Sequence, residues 1–282
     1  MNDVTMAIDP RNSGQLRTWD GEHGAYWAEH ADTYDHSYAD YQPALLAAIS
    51  AQPGERVLDV GCGSGELAID IVRSVPGASA VGVDLSNAQL DVARGRAGGV
   101  ATKFVQADAQ LHDFGEAAYD VVASRTGTMF FSDPGMAFAN LARATRPGGR
   151  LVMFVWRGIE DNEWLREFTG AIGRVLPLDP PPADAPGPFA LSDPSRVRDL
   201  LEGGGWAEVA FAAHDAQLWF GADADRATTF MVGQMAWLFA KLDEGGKRQA
   251  ESNLRAVMAD HEGADGVRLG SGAWIVTARR PS

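Results

Sequence analysis

The sequence predicts an α/β protein, a doubly wound, mostly parallel sheet with helices on both faces. Short apolar runs of strand length alternate with helical segments from about residue 51 to residue 158, which is typical of this architecture. A glycine-rich turn follows the first run, and acidic or small polar residues end the later ones. Ligands of such sheets bind at the carboxyl ends of the strands, so we expect these residues to share one cleft.

The central elements follow from apolar runs and the residues that interrupt them. Pro147-Gly-Gly149 predicts a break between the last helix of this region and its last strand. Strands are predicted at 57–60, 79–84, 102–107, 119–124 and 150–156, and helices at 65–75, 87–95 and 134–146.

The N-terminal region precedes the first strand. Residues 1–15 are polar, and we expect them to be frayed. The stretch 19–41 holds four of the five tyrosines and three of the six histidines. A helical stripe of this kind packs on the core or forms a lid whose polar aromatic tips face a ligand. A further helix is expected over 43–49.

After residue 158 the alternation loosens. Six prolines between 177 and 188 predict a stiff surface loop. Helices are expected at 164–176, 192–201, 223–242 and 247–260, and strands at 206–213 and 273–277, making seven strands in all. We therefore divide the chain into a helical lid (1–50), a core (51–158), a core continuation with the proline-rich loop (159–216), a helical cap (217–265) and a closing strand (266–282).

Composition excludes several classes of function. The net charge of −14 argues against nucleic acid or an anionic membrane as the main partner. The one cysteine cannot form an internal disulfide, which favours a reducing cytoplasm. No apolar run approaches the roughly 20 residues of a membrane span, the N-terminus has no signal-peptide pattern, and no Cys/His cluster predicts a metal site. We expect a cytoplasmic monomer or homodimer.

The turn after the first strand predicts a nucleotide-like site. Glycines let a ligand approach the backbone closely, and the free N–H groups of the following helix point toward it. Asp84 ends the second strand, where an acid accepts hydrogen bonds from ribose hydroxyls. A nicotinamide oxidoreductase is an alternative, but Glu66 occupies the third glycine position of the dinucleotide fingerprint.

The spacing Asp59-x-Gly61-x-Gly63-x-Gly65 resembles motif I of the class I S-adenosylmethionine (SAM) methyltransferases, which have a Rossmann-like core. The ends of strands three and four, at Asp108 and Ser124, resemble the same family. Further stretches resemble a bacterial small-molecule branch named after ubiquinone and menaquinone C-methyltransferases. They are Trp19-Asp-Gly21, Arg146-Pro-Gly-Gly-Arg-Leu151, Phe189 to Pro194 and Ala273-Trp274.

The resemblance implies SAM as cofactor and S-adenosylhomocysteine as product. It implies that cofactor-binding residues are Asp59, Gly61, Cys62, Gly63, Gly65, Asp84, Leu85, Gln89, Asp108, Ala109 and Ser124. Candidates for acceptor positioning or proton removal are His23, Tyr26, Tyr34 and Arg125, the last holding either a carboxylate or a structural ion pair.

The expected function is therefore methyl transfer to a small molecule. The Tyr- and His-rich N-terminal stretch departs from the branch and favours a specialised aromatic acceptor of secondary metabolism, such as an indole or phenol. The alternatives are a SAM-binding protein without catalysis and a methyltransferase that acts on a protein.

Overall fold

The computed structural model describes residues 6–178, 182 and 185–282. A single sheet organises this part of the chain, with the strand order β3-β2-β1-β4-β5-β8-β6 and β7 paired to β8. The strands are β1 (Arg56–Val60), β2 (Ser79–Asp84), β3 (Thr102–Gln106), β4 (Tyr119–Arg125), β5 (Thr145–Trp156), β6 (Ala207–Gly221), β7 (Glu262–Gly263) and β8 (Gly266–Arg279). The Rossmann-like architecture is confirmed, with eight strands instead of seven because two-residue β7 starts a hairpin with β8.

Strands β1 to β5 pair in parallel, whereas β8 runs antiparallel to both β5 and β6. The central strands β1 and β4 are buried on both faces, which explains their apolar sequences. Their carboxyl ends meet at one edge, where Val60, Asp84 and Arg125 end neighbouring strands. This edge therefore brings together residues that are far apart in sequence.

Helices cover both faces of the sheet and begin at recognisable caps. The side chains of Ser86, Asp133, Asp193, Asp223 and Asp243 each accept a hydrogen bond from a backbone N–H in the first turn of the following helix.

Among the described residues, no helix has both the length and the apolarity needed to cross a lipid bilayer. The helices are α1 (Ser13–Trp19), α2 (Glu22–Glu29), α3 (Ala31–Tyr38), α4 (Gln42–Ile49), α5 (Glu66–Ser74), α6 (Asn87–Arg96), α7 (Pro134–Ala144), α8 (Glu163–Gly173), α9 (Pro194–Gly203), α10 (Ala224–Gln234), α11 (Ala236–Phe239) and α12 (Glu244–Asp260).

Two predicted elements differ from the structure. The break expected at Pro147-Gly-Gly149 lies within β5, because Gly148 N–H donates to Arg280 O at 3.0 Å and Arg280 N–H donates to Gly149 O at 2.9 Å. The helix expected over 223–242 divides into α10 and α11, because Met235 leaves the helical dihedral angles (φ −102°, ψ 21°). In both places the backbone follows tertiary hydrogen bonding or packing that local sequence does not encode.

The proline-rich loop is described only in part, since 179–181 and 183–184 lie outside the described residues. Pro177, Pro182 and Pro188 are exposed, in agreement with the predicted surface loop. Residues 185–188 also line the cavity described below, and Gly187 N–H donates to Met129 O at 3.0 Å. This bond ties the loop to the short 3₁₀ turn Gly127–Phe130 that follows β4.

Asn162 joins the end of β5 to β8. Its side chain is fully buried, and its Nδ2 donates to Gly158 O at 2.9 Å and to Gly272 O at 3.2 Å. Its Oδ1 accepts from Gly272 N at 3.2 Å and from Trp164 Nε1 at 3.0 Å. One buried amide therefore satisfies polar groups from the connection after β5, from α8 and from β8.

Replacing Asn162 by Ala should destabilise the fold by about 2–3 kcal/mol, because several buried backbone groups lose their partners at once. The free energy of unfolding in urea measures this loss. Asn87→Ala is a matched control on an exposed position and should change stability by less than about 0.5 kcal/mol. Equal stability of the two variants would contradict the assigned role of Asn162.

Candidate active site

A cavity of about 1960 Å³ opens at the carboxyl ends of the parallel strands. The sheet forms its floor, α1 to α3 form one wall, and α10 and α11 form another. Most of the site residues predicted from the sequence meet there. Those that line it are His23, Tyr26, Tyr34, Asp59, Gly61, Cys62, Gly63, Asp84, Leu85, Gln89, Asp108, Ala109 and Arg125.

The turn after β1 needs glycine at two of its cavity-lining positions. Gly61 and Gly63 have positive φ angles of +66° and +51°. A Cβ on Gly61 would stand 2.6 Å from the Cα of Gly127, and a Cβ on Gly63 would stand 2.9 Å from Gln89 Oε1. Gly61 N–H donates to Val83 O at 2.8 Å. A side chain at either position would therefore clash with neighbouring residues of the cavity wall.

Asp84 is fixed by backbone donors. Its Oδ2 accepts from Gly63 N at 2.8 Å, and its Oδ1 accepts from Ser86 N at 2.9 Å. Desolvation raises the pKa of this carboxyl, and the backbone N–H groups oppose that effect. Because a carboxylate oxygen has more than one lone pair, both oxygens can still accept a ligand hydroxyl.

Asp59 is a buried carboxyl that has no hydrogen-bond partner of normal geometry among the described residues. It is 1% exposed, and neither oxygen forms a hydrogen bond of normal geometry. Burial raises its pKa to about 7, an effect that the Arg125 charge and the Ala68 N–H oppose. A buried acid facing a cavity without a partner fits a ligand that brings a positive charge or a hydrogen-bond donor.

The carboxylate of Asp108 accepts a hydrogen bond from the N-terminal segment, which the sequence did not predict. Its Oδ1 accepts from Gln110 N at 3.0 Å, and its Oδ2 accepts from Asp9 N at 3.0 Å. The prediction that residues 1–15 are frayed is therefore wrong for the described residues around Asp9. Arg11 pairs with Asp9 at 2.9 Å and with Asp133 at 2.7 Å, which fastens this segment across the site.

Two predicted cofactor contacts do not line the cavity. Ser124 is fully buried, and its Oγ donates to Val60 O at 2.7 Å, so the hydroxyl ties β4 to β1. Gly65 begins α5 with a φ of +82°, and a Cβ there would stand 2.8 Å from Ala93 Cβ and from the Phe104 ring. Both residues therefore support the turn through packing and hydrogen bonding and do not line the cavity.

Cys62 is a packing residue of the turn. Its thiol is buried, and burial raises its pKa well above the usual value, which keeps it protonated. A Cβ on Gly82 would stand 2.7 Å from Cys62 Sγ. The side chain therefore fills the space between the turn and β2.

Two tyrosines of the N-terminal helical lid form hydrogen bonds to helix α10 of the cap. Tyr26 Oη donates to Phe230 O at 2.8 Å, and Tyr34 Oη donates to Gln234 Oε1. Burial raises the pKa of Tyr26 to about 12 and raises the pKa of Tyr34 further. Both hydroxyls therefore stay protonated near neutral pH, and their bonds join α2 and α3 to α10.

His23 lies in an aromatic part of the cavity wall. Its ring is 5.0 Å from the Trp19 ring and 6.3 Å from the Trp27 ring, centroid to centroid. Burial lowers its pKa below 6.5, so the imidazole is neutral at pH 7. A neutral imidazole facing a cavity can accept a proton.

Arg125 forms a structural ion-pair cluster. Its guanidinium pairs with Glu66 and, at 3.2 Å, with Asp35, and donates to Gln42 Oε1 at 3.2 Å. It lies over the Tyr38 ring at 5.1 Å. Because two carboxylates of the protein already pair with this guanidinium, the structure favours a structural ion pair over binding of an acceptor carboxylate. Glu66, at the third glycine position of the fingerprint, is one of these partners.

Sequence reasoning missed most of the apolar end of the cavity. Its wall includes Trp156, Trp164, Phe168 and Phe189, whose neighbouring rings lie 5.8 to 6.4 Å apart. The residues come from β5, α8 and the proline-rich loop. Trp164, Phe168 and Phe189 looked like ordinary core residues in sequence, and only their convergence distinguishes them.

Comparison with known proteins identifies the family. A family model described as a methyltransferase domain matches residues 57–149. An O-methyltransferase of Aspergillus nomiae is 30% identical over 157 residues, which cover 52% of this chain and 68% of that relative. The chain belongs to the class I SAM-dependent methyltransferase family. Its cofactor is therefore SAM, and the unpartnered Asp59 carboxyl and the open glycine turn fit that cofactor.

Other relatives agree with this membership. A demethylmenaquinone methyltransferase of Thermus thermophilus is 38% identical over 126 residues, which cover 44% of this chain and 57% of that protein. The chain spans little more than half the length of the first curated relatives that it matches. The structure of phosphoethanolamine N-methyltransferase 2 from Haemonchus contortus, solved with SAM, superposes with a TM-score of 0.57 at 17% identity, covering 98% of this chain and 61% of that one. This last likeness shows the fold.

The pKa of Asp59 predicts a pH-dependent stability. The pKa of Asp59 in the folded protein, about 7, lies above its ordinary value of 3.8. The contribution of Asp59 to the free energy of unfolding is therefore fully present below pH 3.8, and it is lost as pH rises toward 7. Relative to Asp59→Asn, the unbound wild-type protein should lose about 2–4 kcal/mol over this range. Unfolding free energies at a series of pH values measure the difference.

Asp120→Asn is the matched control, because the Arg56 N–H and the Arg146 guanidinium hold the pKa of Asp120 below its ordinary value. The contribution of Asp120 to the free energy of unfolding should have the opposite pH dependence. It should be present above pH 3.8 and lost as pH falls. The same pH profile for wild type and Asp59→Asn would show that Asp59 is ionised in the unbound protein.

Proposed function

We propose that the protein transfers a methyl group from SAM to a large, mainly aromatic small-molecule acceptor. One observation carries this proposal. A single cavity joins the glycine turn at the strand ends to an apolar chamber lined by Trp156, Trp164, Phe168 and Phe189. A donor at the turn and an acceptor in the chamber would share one enclosed space, which methyl transfer requires.

The size of the cavity supports an acceptor of considerable bulk. Its volume is about 1960 Å³, whereas small-molecule sites usually occupy about 300–1,000 Å³. The cofactor would use only part of this space. The rest would hold an acceptor with several rings or a long apolar part, and a protein side chain would leave most of it empty.

At the glycine-turn end, each group of the cofactor has a plausible partner. Asp59 would hold the ammonium of the methionine part, and Asp84 would accept from the ribose hydroxyls. The adenine would lie near Leu85 and Ala109. Asp108 would keep its bond from Asp9 N–H and accept from the adenine amino group with a remaining lone pair.

SAM would supply a methyl group that is bonded to a positively charged sulfur. As the acceptor forms a bond to the methyl carbon, the carbon–sulfur bond would break and its electron pair would stay on sulfur. The protein mainly has to align the two reactants and exclude water. The lid, fastened by Tyr26 and Tyr34, would do this. His23 would take the proton that a hydroxyl or amine acceptor loses.

The relatives support a small-molecule acceptor. One is named for demethylmenaquinone, a ring compound, and another for transfer to oxygen. The aromatic chamber and the neutral His23 favour a phenol or an indole, as an intermediate of natural-product synthesis. These names concern the relatives, and the acceptor of this chain is our proposal.

The first test uses SAM with a trideuterated methyl group, incubated with the protein and small-molecule extract of its source cells. We expect mass spectrometry to find a small aromatic product that is about three daltons heavier than its unlabelled methylated form. The Asp84→Ala variant, which should bind SAM weakly, is the control. Label on protein or RNA alone would refute the small-molecule acceptor, and bound SAM without any transfer would favour a non-catalytic role.

His23→Gln should lower kcat by about 100-fold or more for an acceptor that loses a proton. Because burial lowers the pKa of His23 below 6.5, the wild-type rate should rise as pH increases through that lowered value and then level off. The variant should lack this rise. His36→Gln is the control, since His36 stacks on Trp219 at 4.1 Å outside the cavity wall. An unchanged pH profile in His23→Gln would exclude His23 as the base.

A further inference from the structure

Arg196 is an unusual member of the chamber wall. It lies in the first turn of α9 and lines the cavity together with Ser192 and Asp193. Its Nε is buried and has no hydrogen-bond partner in the described part of the chain. A buried donor of a charged group without an acceptor is unfavourable. A ligand that supplies the acceptor would remove this defect.

The neighbouring arginines differ from Arg196 because the protein itself satisfies them. Arg125 is balanced by Asp35 and Glu66. Arg157 pairs with Asp161 and, at 2.6 Å, with Asp215. By contrast, two carboxylates lie three residues from Arg196 in sequence, those of Asp193 and Asp199. Asp193 caps α9 by accepting from Ser195 N at 2.9 Å.

The surroundings of Arg196 favour a planar apolar ligand with one charged end. Phe189 and Trp164 lie in the same wall, with ring centroids 6.4 Å apart and an interplanar angle of 26°. Trp274 Nε1 donates to Ser192 O at 3.2 Å, which fixes the chain just before α9. In such apolar surroundings an ion pair with a guanidinium is stronger than in water.

The wall holds few cations and also carries carboxylates, among them Glu160 and Asp193, which favours a monoanion over a more highly charged ligand. Among the described residues, no lysine lines the cavity, and the arginines that line it are Arg17, Arg125 and Arg196. Arg17 is exposed and Arg125 is already neutralised. One half-buried guanidinium matches a carboxylate, which it can bind through two parallel hydrogen bonds. A phosphate dianion would need a second cation.

We propose that Arg196 binds a carboxylate of the acceptor, so that the enzyme acts on an aromatic acid. This inference rests on the proposed function, since it names the substrate class of the same cavity. The rings would lie along Trp164 and Phe189, and the carboxylate would lie at the N-terminal turn of α9. The group to be methylated would then point away from α9, toward the turn after β4.

The test is a binding measurement on the full chain saturated with S-adenosylhomocysteine. Anthracene-2-carboxylate is the fluorescent probe, and anthracene-2-carboxamide is its neutral counterpart of nearly equal shape. We expect wild type to bind the carboxylate better than the amide. Arg196→Gln should weaken carboxylate binding by about 10- to 100-fold and change amide binding by less than about twofold.

Arg198→Gln is the matched control on the same helix. Arg198 donates to Val209 O at 2.8 Å, lies over Phe211, and does not line the cavity. It should leave both probes unaffected. Thermal unfolding and calorimetric binding of S-adenosylhomocysteine establish that each variant is folded and holds the cofactor product.

The outcomes separate the two proposals. If S-adenosylhomocysteine binds and Arg196→Gln loses affinity for both probes equally, or for neither, the carboxylate assignment is wrong while the methyltransferase proposal stands. The same holds if wild type does not prefer the carboxylate. If folded wild type does not bind S-adenosylhomocysteine at all, the proposed function itself fails.

Discussion

The ion-pair cluster around Arg125 is the interaction on which the site depends most. One guanidinium, 15% exposed, receives Asp35 from α3, Gln42 from α4 and Glu66 from α5 while it extends from the end of β4. Arg96 from α6 joins it by pairing with Asp35 at 2.8 Å. A buried charge without its partners is costly. The lid therefore cannot leave the strand ends without exposing or isolating several charges.

This constraint gives the cavity its form. The cluster holds the lid over the glycine turn, and the tyrosine hydroxyls of α2 and α3 then fasten it to α10. The lid, the cap and the strand ends consequently border one cavity with two ends of different chemistry. One end holds backbone N–H groups and carboxyls, and the other holds indole and phenyl rings. A cofactor and an apolar acceptor suit these two ends.

The tyrosines illustrate how packing changes the role of a residue type. Polar aromatic residues in a lid suggested groups that face a ligand. In the structure Tyr26 and Tyr34 do line the cavity, but their hydroxyls already bond to the cap. His23 makes no such bond to the described residues and stays neutral among Trp19 and Trp27. Because the tyrosine hydroxyls already bond to the cap, the structure favours His23 over Tyr26 and Tyr34 as the proposed proton acceptor.

The sequence alone determined the parallel sheet, the glycine turn and the acids at the strand ends. These features follow from local periodicity, from backbone angles that favour glycine, and from the rule that parallel strands end at one edge. Only the tertiary structure decided which groups face the cavity. Ser124 turns to Val60, Asp9 reaches Asp108, and the Nε of Arg196 has no hydrogen-bond partner among the described residues. Such contacts join residues that are far apart in the chain, and their geometry depends on packing that no local pattern records.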